Sequence, residues 1–308
     1  MTNALRIGVI GLGSRWRKRY QPALRALHKR FAVKAVCDAV RERAAAEASH
    51  LHCHAAGGPT ALLERDDVDA VLLSDWQWFG LWPVELACRF AKPVFCGCPL
   101  ESDDAHADRV VRKAEESRLP VMVAMAPRFA AETALLREIL EAQLGPARRV
   151  LCDAIRPCRA GHPDAAKPAV ALLDWCASLL GGEAVRIMLT GMEQGSQLLL
   201  DFGGGRQAEV IHRRWPGVRR LRLEVLAERG RVAAELPGRV YWTATDGRHI
   251  HLMNRRQPIG RLLLERFHRT VTAGDMAGPT LRDAHRVLGW LRAAARSREV
   301  GGWVDVTG

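Results

Sequence analysis

The segment that decides the fold is Leu5–Trp16, with the sequence LRIGVIGLGSRW. Its apolar first half, Leu5–Ile10, has the composition of a buried strand. Gly11 and Gly13 follow at once, and glycine is the residue that readily adopts the positive φ of a tight turn. A stretch with helical spacing, Arg17–Lys29, comes next. The segment therefore predicts a strand, a glycine turn and a helix in succession.

The same alternation of short apolar runs and amphipathic stretches continues to residue 125. This alternation predicts βαβ units and hence a doubly wound parallel sheet with helices on both faces. The predicted strands are Leu5–Ile10, Ala32–Cys37, Ala70–Ser74, Pro93–Cys96 and Pro120–Met125. The predicted helices between them are Arg17–Lys29, Arg41–His50, Pro83–Phe90 and Asp103–Ser117.

The pattern changes after residue 125. Several strand-like runs follow one another, separated by glycine-rich turn signals such as Gly203–Gly205. Two helices close the chain, and the last opens with a capping pattern, Thr280–Asp283. We therefore predict an α/β chain with a Rossmann domain over residues 1–125. Residues 126–308 are predicted to form a C-terminal α+β domain with a mostly antiparallel open sheet.

The composition is that of a folded, soluble protein. Hydrophobic residues make up 48% of the 308 residues and charged residues 26%. No apolar run approaches the ~20 residues that a transmembrane helix needs. Because the first predicted strand begins at Leu5, we expect no signal peptide and a cytoplasmic location. The eight cysteines are then expected to be reduced thiols.

The formal net charge of +12 comes mostly from arginine. Such a charge is compatible with a nucleic-acid surface. The arginines are spread along the chain, however, and no nucleic-acid-binding motif accompanies them. We therefore do not predict a nucleic-acid partner.

The glycine turn predicts a dinucleotide site. Gly11 permits the turn, and Gly13 lets the backbone approach a pyrophosphate at the amino terminus of the following helix. Asp38 ends the second predicted strand, where an acid accepts hydrogen bonds from the adenosine ribose and favours NAD over NADP. Arg41 is near enough in sequence to leave NADP open, and Trp16 replaces the third glycine of the fingerprint. A Rossmann fold without a cofactor is the alternative. The predicted cofactor-binding residues of this region are Gly11, Leu12, Gly13, Ser14, Arg15 and Asp38.

A further pattern extends over nearly the whole chain. It is carried by Ile7–Gly13, Val36–Asp38, Asp67–Val71, Lys92–Leu100, Arg128-Phe129, Asp174 with Gly181, Phe267 and Thr280–Ser297. In these segments the chain resembles the Gfo/Idh/MocA family of NAD(P)-dependent oxidoreductases. The resemblance implies a sugar, polyol or similar small alcohol as substrate, bound between the domains. It also implies a homo-oligomer formed through the C-terminal sheet, and it adds Ser74, Asp75 and Cys98 to the cofactor-binding residues.

The catalytic positions depart from the family pattern. The lysine of the family's Glu-Lys-Pro segment falls on Cys98, and the glutamate falls on Gly97. The family's histidine falls on Ala171, and the acidic residue one helical turn before it falls on Lys167. The family's Thr-Pro step falls on Asp75-Trp76, and the histidine after that step falls on Gly80. Oxidation of an alcohol by hydride transfer needs a base for the hydroxyl proton. In one interpretation Lys167 is the displaced catalytic lysine and Cys98 lines the nicotinamide pocket. In the other, Lys167 is a solvated residue at a helix start and Cys98 has no chemical role.

Two functional classes remain open. The chain is an oxidoreductase with a rewired proton relay, or a non-catalytic dinucleotide-binding protein that serves as a sensor or assembly subunit. Trp76, Trp78 and Trp82 follow the third main strand, where they either close over a ligand or fill core and subunit contacts. The histidines in His50–His54 are too close together in sequence to converge on one ion, so no metal is predicted.

Overall fold

The computed structural model describes residues 4–75, 78–97, 105–156, 169–192, 195–244, 247–252, 258–275 and 278–306. The chain divides into two compact units. The first consists of Met1–Met125 and Pro258–His285, and the second of Ala126–Gln257 and Arg286–Gly308.

The elements, in chain order, have the following bounds. The strands are β1 (Leu5–Ile10), β2 (Phe31–Cys37), β3 (His54–Ala55), β4 (Ala70–Leu73), β5 (Val94–Cys96), β6 (Val121–Val123), β7 (Ala147–Arg156), β8 (Arg186–Met192), β9 (Gly195–Asp201), β10 (Gln207–Arg214), β11 (Arg220–Ala227), β12 (Gly230–Leu236), β13 (Arg239–Ala244), β14 (Gly247–Leu252) and β15 (Val304–Asp305). The α-helices are α1 (Gln21–Ala26), α2 (Arg41–Leu51), α3 (Pro59–Leu63), α4 (Trp82–Arg89), α5 (Ala105–Glu116), α6 (Ala131–Ile139), α7 (Ala169–Leu180), α8 (Ile259–Ala273) and α9 (Leu281–Val300). Short π-helical segments are Trp16–Tyr20 and Leu140–Leu144, and Ala126–Phe129 is a 3₁₀ turn.

The first unit is built on a parallel sheet with the strand order β3-β2-β1-β4-β5-β6. The central strands are apolar throughout: every residue of β4 is buried, and so are Ile7, Val9 and Ile10 of β1. Strands buried on both faces are expected where helices cover both sides of a parallel sheet. The predicted Rossmann sheet is therefore confirmed.

Helix α8 packs in the first unit, although the sequence assigned all residues after 125 to the second domain. The ring of Phe267 lies 5.5 Å from the ring of Phe95 in β5, centroid to centroid. Gly260 lies against the backbone of Arg19, where a Cβ would come within 2.5 Å of the carbonyl oxygen. These contacts bury the apolar face of α8 on the first sheet, so Pro258–His285 returns to the first unit.

The second unit is built on a sheet with the order β14-β13-β12-β11-β7-β10-β9-β8-β15. Neighbouring strands in this sheet are antiparallel except for β7 and β10, which are parallel. The pattern of β7 alternates, with Val150, Cys152 and Ala154 buried on one face. The opposite face carries ion pairs such as Arg213–Asp153. This is the predicted C-terminal α+β domain with a mostly antiparallel sheet.

The last helix, α9, begins in the first unit and continues in the second. The backbone N–H of Thr280 donates to Asp283 Oδ2 at 2.8 Å, and the N–H of Asp283 donates to Thr280 Oγ1 at 3.3 Å. The capping pattern is therefore confirmed. Within the part of the chain that the structure describes, no helix is long and apolar enough to cross a membrane.

Candidate functional site

The glycine turn after β1 leaves no room for side chains at two positions. Gly11 has φ +85°, and a Cβ there would lie 2.7 Å from the carbonyl oxygen of Asp75. A Cβ on Gly13 would lie 2.9 Å from Asp75 Oδ2. The Ser74 hydroxyl donates to the Gly11 carbonyl and is itself fully buried, so it holds the turn against the end of β4. The helix begins directly after the turn, at Ser14.

Asp38 joins the end of β2 to this turn. Its buried carboxylate accepts the backbone N–H of Leu12 at 2.7 Å and that of Val40 at 2.9 Å. Arg43 Nη1 lies 3.1 Å from Asp38 Oδ1, and the Asp38 side chain is only 2% exposed. The Asp38 carboxylate therefore holds the glycine turn in place. A ribose hydroxyl that binds here would donate to a carboxylate that already accepts from three donors of the protein.

The arginine beside Asp38 is Arg43, which the sequence analysis missed. Val40 is the N-cap of α2, and Arg41 is its first, exposed residue. Arg43 is the third residue of the helix, a position whose side chain reaches back toward the cap. Had the start of α2 been placed at Arg41 from the sequence, the position of Arg43 in the first turn would have indicated it, rather than Arg41, as the partner of Asp38.

Asp75 is the feature of this site that opposes an anionic ligand. Its carboxylate oxygen is the atom that a Cβ on Gly13 would meet. The side chain is partly buried, and it follows β4 directly. A carboxylate so close to the glycine turn repels a pyrophosphate that approaches the same backbone.

The residues nevertheless fit a dinucleotide. The carboxyl ends of β1, β2 and β4 bring the glycine turn, Asp38 and Asp75 to one edge of a parallel sheet, where such sheets bind ligands. The turn exposes backbone at a helix amino terminus, which attracts phosphate. Ser14 is exposed and Arg15 is partly exposed at this terminus. Among the predicted cofactor-binding residues, Cys98 lies outside the described part of the chain.

Two aromatic side chains fill the space beneath the turn. Trp16, in place of the third glycine, is fully buried and opens the π-helical segment Trp16–Tyr20. The buried Tyr20 hydroxyl donates to the carbonyl of Gly97. A Cβ on Gly97 would lie 2.6 Å from Tyr20 Cε2, so a glutamate does not fit at Gly97 beside this ring. The presence of glycine at position 97 is thus explained by Tyr20, 77 residues away in sequence.

In the second unit, α7 contains Ala171, which we predicted to stand at the position of the family's histidine. Asp174 is buried in α7, with its Oδ2 3.1 Å from Arg128 Nε. Burial and the neighbouring Arg128 lower the pKa of Arg137, and Asp174 acts in the opposite direction. Asp174 is therefore engaged in a buried ion pair with Arg128. Ala171, one turn earlier, has only a methyl group, and Lys167 lies outside the described residues.

The other residues singled out in the sequence are the three tryptophans after the third main strand and the histidines of residues 50–54. The side chains of Trp78 and Trp82 are 65% and 41% exposed. Trp76 lies outside the described residues. His50 contacts Arg25 through its ring Nε2. Among the residues that the structure describes, no three His, Cys, Asp or Glu side chains are grouped to hold a metal ion.

Comparison with known families decides the class of the first unit. Residues 5–125 match the GFO_IDH_MocA profile, described as an oxidoreductase family with an NAD-binding Rossmann fold. Residues 5–125, which we call the Gfo/Idh/MocA unit, belong to this family. The predicted family and an NAD(P) cofactor are therefore confirmed for the Gfo/Idh/MocA unit. No curated protein sequence matches the chain significantly.

Solved structures share the fold of the whole chain. UDP-N-acetylglucosamine 3-dehydrogenase GnnA from Acidithiobacillus ferrooxidans is 21% identical with a TM-score of 0.82, over 97% of this chain and 98% of that one. KijD10, a 3-ketoreductase from Actinomadura kijaniata in complex with NADP, is 21% identical with a TM-score of 0.77, over 96% and 98%. An oxidoreductase from Agrobacterium radiobacter in complex with NAD+, L-tartaric acid and magnesium is 19% identical with a TM-score of 0.83, over 99% of both chains. At these identities the likeness establishes the fold that the Gfo/Idh/MocA unit and the C-terminal domain share with them.

Proposed function

We propose that the protein is an NAD(P)-dependent oxidoreductase that acts on an alcohol group of a sugar, a polyol or a similar small molecule. The observation that carries this proposal is the glycine turn held by Asp38 through the Leu12 N–H at 2.7 Å. This arrangement joins the first two strands at the edge of the sheet where dinucleotides bind. The relative that acts on UDP-N-acetylglucosamine supports a sugar-like substrate.

The residues of the first unit have separate tasks in this proposal. The backbone of Gly13, Ser14 and Arg15 receives the pyrophosphate at the helix amino terminus. Asp38 keeps the turn in place and offers its remaining acceptor capacity to a ribose hydroxyl. When bound, the dinucleotide supplies the hydride acceptor. Asp75 limits the affinity for the dinucleotide, because its carboxylate lies against the glycine turn and repels the pyrophosphate.

The proton of the substrate hydroxyl needs a different acceptor from the one usual in the family. Ala171 carries no group that exchanges a proton, and the Asp174 carboxylate is held by Arg128. Of the two interpretations of the sequence, we propose the one in which Lys167 transfers the proton and Cys98 lines the nicotinamide pocket. A positioned acid–base group contributes about 10²–10⁴ in rate, so its loss is readily measured.

A second function is favoured by one observation, the methyl group at Ala171. A chain without a proton acceptor binds a dinucleotide without turnover and serves as a sensor or assembly subunit. In both cases we propose a homo-oligomer formed through the sheet of the C-terminal domain, and a cytoplasmic location.

The two functions are separated by a substrate screen. The protein is supplied with NAD+ or NADP+ and a panel of polyols, aldoses and sugar acids, and formation of reduced nicotinamide is followed by absorbance. The oxidoreductase proposal predicts turnover that falls about 10²–10⁴-fold in Lys167→Ala. The control is Lys29→Ala, an exposed lysine of the first unit, which leaves the rate unchanged. Cofactor binding without turnover on any substrate would favour the second function.

A further inference from the structure

A group of basic side chains lies at one end of the sheet of the second unit. We call Arg156, His212, Arg214 and Arg219 the basic cluster. Arg156 and Arg214 are register partners at the ends of the parallel strands β7 and β10. His212 pairs with Ala154 in the same register, and Arg219 precedes β11, which begins at Arg220. The cluster thus draws on three adjacent strands.

The cluster lies on the face of the sheet that α7 covers. The thiol of Cys176 in α7 hydrogen-bonds the thiol of Cys152 in β7, which identifies the covered face. Side chains alternate along a strand, so Cys152, Ala154 and Arg156 share this face. Residues paired across neighbouring strands point to the same side, which adds His212 and Arg214.

Helix α7 is oriented so that its amino terminus faces the cluster. Arg206, just before β10, donates from Nη1 to the carbonyl oxygens of Leu180 at 2.9 Å and Gly181 at 2.7 Å. The carboxyl end of α7 therefore lies at the start of β10, and its amino terminus lies toward the end of that strand. The positive end of the helix dipole adds to the charge of the cluster. The first turn of α7 also carries Ala171.

Arginines on the other face of the sheet are paired with carboxylates. There, Arg213 pairs with Asp153 at 2.9 Å and Arg222 with Glu224 at 2.7 Å. Within the described residues, neither Arg156 nor Arg219 forms an ion pair with a carboxylate. Burial and the neighbouring Arg219 instead lower the pKa of Arg156. Both residues are exposed to solvent, so their guanidinium groups are accessible to an anion from solution.

His212 gives the second, independent indication of a ligand. Its residue surface is only 6% exposed, and its Nε2 has no hydrogen-bond partner among the described residues. Burial, Arg156 and Arg214 lower the pKa of His212 to about 4, so the ring is neutral at pH 7 and one ring nitrogen remains a donor. Buried polar atoms are normally paired, and an orphan beside positive charges suits an oxyanion.

We propose that the basic cluster binds an oxyanion of the substrate, a phosphoryl or carboxylate group attached to the sugar or polyol. The proposal rests on the proposed function, because it places this anion at the end of α7 that carries Ala171. Arg156 and Arg219 supply charge, and His212 supplies a neutral donor. A neutral sugar or polyol is then a poorer ligand than its phosphate ester or its acid.

The proposal is tested by binding, without cofactor and without turnover. Calorimetric titrations use inorganic phosphate, glucose 6-phosphate, gluconate and glucose as probes. The variants are Arg156→Gln and Arg219→Gln. Arg149→Gln is the matched control, because Arg149 is an exposed arginine of the same strand on the opposite face. His212→Asn, which retains a side-chain donor, is the second test of the buried position.

We expect at least one anionic probe to bind more tightly than glucose. Its affinity should fall at least about 10-fold in Arg156→Gln, as for loss of a charged hydrogen-bond donor, and remain unchanged in Arg149→Gln. Preference for glucose 6-phosphate or for gluconate assigns the anion as phosphoryl or carboxylate. Absence of anion binding by the folded protein, or equal loss in Arg149→Gln, would overturn the proposal.

The two proposals fail in different ways. Anion binding that depends on Arg156, in a protein that binds no dinucleotide, would leave the cluster as an anion site and refute the oxidoreductase. Dinucleotide binding by a protein that binds none of the anionic probes would refute the anion site and leave the oxidoreductase proposal standing.

Discussion

Replacement of Asp38 by asparagine tests the tie between β2 and the glycine turn. The carboxylate accepts the N–H of Leu12 at 2.7 Å and the N–H of Val40 at 2.9 Å. It also pairs with Arg43 at 3.1 Å. The amide has almost the same shape but only one acceptor oxygen, so its NH2 group must face one of the two backbone donors. One buried backbone N–H then loses its partner, and the hydrogen bond that remains has a neutral acceptor in place of a charged one.

The expected loss follows from these contacts. A hydrogen bond to a charged group contributes about 1.5–3 kcal/mol, and an unpaired buried donor costs about 1–3 kcal/mol. The lost hydrogen bond and the unpaired donor belong to the same site, so their contributions do not add in full. We therefore expect Asp38→Asn to lower the free energy of unfolding by about 3 kcal/mol, measured by urea denaturation. Asp66→Asn, at an exposed aspartate of the same unit, is the control and should change it by less than about 0.5 kcal/mol. Equal stabilities of the two variants would refute the role given to Asp38.

Three further predictions concern single side chains. Asp75→Asn should tighten NAD binding about 5–30-fold in a calorimetric titration, because removal of a repelling charge beside the glycine turn is worth about 1–2 kcal/mol. Unchanged or weaker binding would contradict the repulsion. Gly97→Ala should lower the free energy of unfolding by about 1–3 kcal/mol, because its Cβ would meet the Tyr20 ring at 2.6 Å; Gly57→Ala, where nothing lies within 4 Å, is the control. The pKa of His212 is about 4 against 6.5 for the ordinary side chain, so the unfolded chain takes up the proton first and stability should fall by about 2 kcal/mol between pH 7 and pH 5. His212→Gln should remove that part of the pH dependence, and an unchanged slope would show that His212 titrates normally.

The fold could be predicted because its signals are local. The apolar run of β1 ends where Gly11 begins the turn, and the structure gives the same bounds, Leu5–Ile10. The alternation of β7, with Val150, Cys152 and Ala154 buried, likewise follows from the side-chain period of a strand. Such patterns are written into consecutive residues, so a single sequence is enough to find them.

The contacts that bring distant segments together could not be predicted in this way. The return of α8 to the first unit depends on Phe267 meeting Phe95, and neither segment carries a local sign of its partner. Gly97 is explained only by the Tyr20 ring, which lies far away in sequence. The proximity of Arg156 to Arg214 becomes visible only when the register pairs them at the ends of β7 and β10. These features are properties of the tertiary arrangement rather than of any sequence window.

The candidate site was predicted in part. The positions of Gly11, Gly13 and Asp38 at one sheet edge follow from the order of strands and turns, since the carboxyl ends of parallel strands meet there. Two other features depend on side-chain geometry, which the sequence does not show. Asp38 accepts hydrogen bonds from backbone donors, and the Asp75 carboxylate lies against the glycine turn. Cys98 and Lys167 remain predictions, because both lie outside the described residues.

The most direct test of the central claim is a calorimetric titration of the purified protein with NAD+, NADH, NADP+ and NADPH at moderate salt. The glycine turn and Asp38 predict saturable binding of at least one of the four, with one nicotinamide dinucleotide per chain. Binding of none of them by a protein shown to be folded would contradict the dinucleotide site and, with it, the proposed oxidoreductase.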